Sequence, residues 1–157
     1  MIQLLLFLHI GGAIIAFGPT FALPLVGALS GKEPQHANFA ARASGIIFQR
    51  RILPFALSMA VTGGLLIWST GRDLTSPANY WLDLAIVIYV FAIGYSLMVQ
   101  APAGRKIVEL TSRPPEPGAT GPSPELMATV KRSRQGSLIL MAAVTVIVAL
   151  MVFKPGA

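Results

Sequence analysis

The sequence predicts an all-α integral membrane protein, a bundle of four transmembrane helices with its N- and C-termini outside. Three observations carry that expectation. Only 11% of the 157 residues are Asp, Glu, Lys or Arg, where a soluble domain carries about 25%. Mean hydropathy is +0.69. The apolar residues gather in four long runs, and most basic residues fall between them. A soluble chain this short exposes too much surface to hide so many apolar side chains, so hydrocarbon must be the solvent of the runs. Residues 1–157 read as one transmembrane domain.

The first span covers residues 2–29 and carries no charge. At the helical rise it would measure roughly 40 Å, more than a hydrocarbon core needs. Pro19 and Pro24 lie inside it, so a kink or an early unwinding is expected. Gly12, Ala16 and Thr20 recur every fourth residue, a small stripe on which another helix can approach closely. Ala28-Leu29-Ser30 resembles a signal cleavage site. Met1-Ile2-Gln3 supplies no basic segment, however, and the apolar run exceeds a signal core, so the span is expected to be retained.

Residues 30–51 read as a basic loop. Within it, Phe39, Ala43, Ile46 and Ile47 alternate with Arg42, Arg50 and Arg51. That pattern fits a short helix lying in the interface, and equally a basic lead-in to the second span. The second span covers 52–70, with Pro54 in its first turn, where proline is tolerated. Ala56, Ala60 and Gly64 form another every-fourth stripe. Trp68 closes this span, and Tyr80-Trp81 opens the third, at residues 80–102. All three are placed as interfacial aromatics. Gly71 to Asn79 is a loop by its turn chemistry.

Residues 103–135 form the second basic connection. Ile107, Val108 and Leu110 can carry a helix into water, and Pro114 to Pro124 reads as a flexible Pro/Gly-rich loop. Ser123-Pro124-Glu125 has the chemistry of a helix start: a Ser cap, proline at the first position and an acid in the first turn. The fourth span covers 136–154 and is stopped by Pro155-Gly156.

Ten of the twelve basic residues lie in 30–51 and 103–135, leaving only Arg72 and Lys154 elsewhere. The positive-inside rule makes those two connections cytoplasmic and places both termini outside. The formal charge of +6 is thus accounted for by topology, and no nucleic-acid partner is expected, because no recognition element accompanies it. The absence of cysteine excludes disulfides, iron–sulfur clusters and thiolate chemistry. No nucleophilic, zinc or carboxylate-pair pattern appears, which argues against a hydrolase. Gly11, Gly12, Gly63 and Gly64 lack the Lys and Ser/Thr of a phosphate loop.

Two polar residues inside spans are candidates for chemistry. His9 can serve as a haem ligand, a proton carrier or a metal ligand. Its structural alternative is a hydrogen bond to a neighbouring helix. The other histidine, His36, lies toward the opposite face, so the two cannot share one haem. Asp83 lies one turn inside the third span, at a depth where a polar pair with His9 is feasible, or where it supports its own helix start. Ser58, Thr62 and Thr145 are expected to bond to carbonyls of their own helices.

The stretch from Leu6-Phe7-Leu8-His9-Ile10-Gly11-Gly12 through Phe17-Gly18-Pro19-Thr20-Phe21 resembles the start of an uncharacterised bacterial family. Its members are predicted integral membrane proteins known as domain of unknown function 2269. The resemblance implies a multi-pass protein of a bacterial inner membrane and brings no activity, so no functional residue is carried over. Leu8-His9-Ile10-Gly11-Gly12 is also similar to haem- and copper-related membrane families. Those use further intramembrane histidines, which the later spans lack.

The expected role is a non-enzymatic bundle in the lipid bilayer, a homo-oligomer or a subunit of a membrane complex. Gly12, Ala16, Ala56, Ala60 and Gly64 are its helix-packing residues. Alternatives are a small transporter with a polar cavity begun by Ser58 and Thr62 opposite His9, or a haem-binding redox protein using His9. No cofactor other than haem, and no metal, is expected.

Overall fold

The computed structural model describes residues 1–113 and 121–156. These form helices α1 (Ile2–Lys32), α2 (Ala37–Ile47), α3 (Leu53–Thr70), α4 (Tyr80–Tyr95), α5 (Ala101–Ser112) and α6 (Pro124–Phe153), with no strand among the described residues. A π turn at Phe48–Ile52 fuses α2 to α3, and a second at Ser96–Gln100 fuses α4 to α5. The result is four continuous rods, each long and apolar enough to cross a membrane. The expectation of a flexible loop at 114–124 falls partly on residues 114–120, outside those described.

The rods run further than the apolar runs alone require. α2, α5 and the first turns of α6 continue the helices beyond the spans, through stretches read from sequence as connections. Residues 37–51 are therefore a helical lead-in continuous with α3, with α2 packed against α5 and α1. The reason is visible in the side chains. The Asn38 amide donates to Val108 O at 3.3 Å, Thr111 Oγ1 at 3.1 Å and Ser112 Oγ at 2.9 Å, which fastens α2 to α5. Lys106 reaches Glu125 at 3.2 Å and fastens α5 to α6. The Glu125 contact holds the Lys106 ammonium above its usual range.

Both π turns stand in the same relation to a proline. Pro54 follows Phe48–Ile52 by two residues, and Pro102 follows Ser96–Gln100 by two. A proline inside a helix lacks the N–H for the carbonyl four residues back and crowds that carbonyl with its ring. That carbonyl belongs to Arg50 in one rod and Met98 in the other, both within the π turns. Widening the turn by one residue relieves the conflict without ending the rod. Pro19 and Pro24 act differently: α1 stays α-helical through both, with no unwinding.

The ends are capped as their residues dictate. Gly71 adopts φ 62°, and Gly71 N–H and Arg72 N–H bond back to Trp68 O and Ile67 O, both at 3.2 Å. This is a Schellman stop, which favours glycine because of the left-handed conformation. Asp73 then accepts from Thr75 N–H at 2.8 Å and Thr75 Oγ1 at 2.7 Å, contacts that hold its carboxyl below the usual carboxylate range. At the start of α6, Ser123 Oγ accepts from Leu126 N–H at 3.2 Å, with Pro124 in the first turn.

Within the spans, α3 packs most extensively on α1, α4 on α6, and α1 also touches α6. The α1–α3 seam holds the buried cluster Ala16, Ala56 and Met59, with Ala13, Phe17, Phe55 and Ile93 against it. Ala16 is 0% exposed. A Cβ on Gly12 would sit 3.2 Å from Met59 Cγ, so the backbones approach here because Gly12 has no side chain.

Within the chain, only the first member of the expected stripe Ala56, Ala60 and Gly64 lies in a contact between helices. Ala56 is buried, whereas Ala60 and Gly64 are exposed, with open space where a Gly64 Cβ would stand. An every-fourth series overshoots a full turn by about 40° at each step. The contact therefore passes from Ala56 to Met59 and on to Gly63, which faces His9.

Candidate functional site

His9 sits in the third turn of α1, where the seam nears the end of the bundle that carries the termini. Its Nδ1 lies 3.0 Å from Thr62 Oγ1 on α3. Thr62 gives its own hydroxyl proton to Ser58 O at 3.0 Å. The threonine oxygen is thus left to accept from His9 Nδ1–H. A Cβ on Gly63 would stand 3.2 Å from His9 Cε1, so the imidazole is seated against bare backbone. Ser58 bonds to Phe55 O at 2.8 Å and Thr145 to Met141 O at 2.8 Å. These hydroxyls satisfy their own helices.

Asp83 lies in the first turn of α4 and makes no hydrogen bond or ion pair among the described residues, so no His9–Asp83 contact forms. Its position suits the positive end of the helix dipole. His36 stands at the opposite end of α1, where Nδ1 meets Glu33 at 2.9 Å. No group of three His, Asp or Glu side chains arranged for a metal occurs among the described residues.

Three polar features of the interior have no counterpart in the sequence reading. The Tyr89 hydroxyl on α4 donates to Ala56 O on α3, across a pair of helices whose backbones stay apart. Gln100, in the second π turn, donates through Nε2 to Ser133 O at 2.9 Å and Ser137 Oγ at 2.8 Å on α6. Its Oε1 is buried and unpartnered. Trp81 is only 5% exposed. Arg72 lies 5.3 Å and Lys154 5.8 Å from the centre of its ring. It is thus a buried hub for the two basic residues of this end, while Trp68 is 78% exposed.

Two grooves lie on one flank. One of about 440 Å³ is an open groove lined by Val99, Pro102, Ala103, Ala128, Lys106 and Arg132 among others. A second of about 310 Å³ is formed by Phe91, Gly94, Tyr95, Met98 and Val99.

A family model described as predicted integral membrane protein (DUF2269) matches residues 3–155. No curated protein and no solved structure matches the chain.

Proposed function

We propose, for a chain that belongs to the DUF2269 family of predicted integral membrane proteins, a non-enzymatic role as a bundle that works by associating with other membrane-embedded protein. We place it in a bacterial inner membrane, with the basic end of the rods in the cytoplasm and both termini outside, by the positive-inside rule. The observation that carries the reading is how the interior polar groups are used. His9 joins α1 to α3, Tyr89 joins α4 to α3, and Gln100 joins the second π turn to α6. Each binds one helix to another instead of contributing to a shared polar chamber. The small residues Ala60 and Gly64 meanwhile face outward with room for another helix.

Native mass spectrometry of polymer-extracted particles tests this. The expected particle is heavier than one chain, and Gly64→Leu reduces it to a monomer while the bundle's own unfolding is unchanged. A lone wild-type monomer would overturn the reading. Solute flux through proteoliposomes that His9→Ala abolishes would do the same.

A further inference from the structure

The flank of the third rod carries two open grooves that share Met98 and Val99, so they form one track along the helix. Its two halves differ in chemistry. From Phe91 to Val99 the track is apolar and runs roughly 12 Å along the helix, within the ~15 Å depth of one leaflet's hydrocarbon. Beyond Val99 it passes over Pro102 and Ala103 and ends at Lys106 and Arg132.

Local structure makes the track. Beyond its chain neighbours and its own helix backbone, nothing among the described residues lies within 4 Å of where a Gly94 Cβ would stand, which leaves a dent in α4. The π turn at Ser96–Gln100 widens the helix where the two halves meet. The charges at the basic end are not equivalent. Lys106 is shared with Glu125 and Glu109, at 3.2 and 3.5 Å, whereas Arg132 is exposed and makes no ion pair among the described residues.

We propose that this track is a binding site for one anionic phospholipid, with its phosphate at Arg132 and Lys106 and an acyl chain along Met98, Gly94 and Phe91. Charge complementarity selects the headgroup, since a neutral zwitterionic lipid gains less from Arg132, which makes no ion pair among the described residues. The apolar half selects a lipid over a soluble anion, because a free phosphate would leave that half empty. The π turn sets Lys106 in line with Met98, Gly94 and Phe91 on the third rod, and Arg132 joins the same groove from α6.

The test is native mass spectrometry of the whole chain released from vesicles of equal parts phosphatidylcholine and phosphatidylglycerol. The wild type is expected to retain one phosphatidylglycerol. Arg132→Glu lowers that retention roughly tenfold. Gly94→Leu fills the dent without touching a charge and lowers it as well, so the result does not hang on one variant. Arg72→Glu, at the other end of the bundle, leaves retention unchanged. Equal retention of the two lipids would overturn the proposal. So would an equal loss in Arg72→Glu, or displacement of the lipid by inorganic phosphate.

Discussion

Gly136 on α6 has no side chain where Gln100 of the second π turn needs room: a Cβ built there would lie 2.5 Å from Gln100 Oε1. Tyr95 crowds the same point, with its hydroxyl 3.1 Å away. Gln100 cannot swing aside freely, because Nε2 is held by Ser133 O and Ser137 Oγ. Gly136→Ala is therefore expected to destabilise the bundle by about 1–3 kcal/mol, as overpacking does. Gly64→Ala, in open space, is expected to be neutral or to stabilise by up to about 1 kcal/mol through helix propensity. Denaturation in mixed micelles, followed by circular dichroism, compares the two.

The His9–Thr62 contact predicts a measurable coupling. A double-mutant cycle with His9→Ala and Thr62→Val should give an interaction of about 0.6 kcal/mol, and no more than about 1.7, the range for hydrogen bonds between membrane helices. Gly63→Ala, whose methyl would meet His9 Cε1 at 3.2 Å, should destabilise the wild type and lose most of that effect in the His9→Ala background. Equal costs in both backgrounds would show that the imbalance lies elsewhere.

The π turns predict an unusual tolerance. Deleting Leu97 from Ser96–Gln100, together with Pro102→Ala to remove the conflict that the wide turn relieves, takes out the extra residue and lets α4 run into α5 as one α-helix, with the faces on either side preserved. Deleting Ile88 from the regular part of α4 rotates everything beyond it by about 100°. The first variant is expected to yield monodisperse protein and the second to aggregate, as read by size exclusion in detergent.

The two tryptophans should respond oppositely to lipid. In bilayers of brominated lipid, Trp68 is expected to be strongly quenched and Trp81 largely protected, as their exposures of 78% and 5% require. Trp68→Phe isolates the Trp81 emission. Arg72→Ala should then shift it, because the guanidinium 5.3 Å from the ring centre is removed.

The four-rod architecture was legible because lipid demands long uninterrupted apolar segments, and composition alone announces them. Half of the small-residue seam was legible too: Gly12, Ala16 and Ala56 meet as their spacing suggests. Ala60 and Gly64 do not, because a stripe drawn at fixed spacing ignores the angle at which two helices cross. The π turns left a trace in Pro54 and Pro102, but proline at a helix start gives the same trace, and only the continuity of the rods distinguishes them. The ties of Tyr89 and Gln100 were invisible for another reason. Their acceptors lie 33 residues away or more, and two of them are backbone carbonyls, which carry no residue identity for a sequence to display.

The contact of Asn38 with α5 has a mechanical consequence. The second and third rods are already joined by the turn at Gly71–Asn79, and Asn38 latches them again at the far extremity. A pair of staves clamped at both tips cannot splay like tweezers. Whatever compliance it has is a bowing at mid-length, where the Tyr89 hydroxyl spans the space between them.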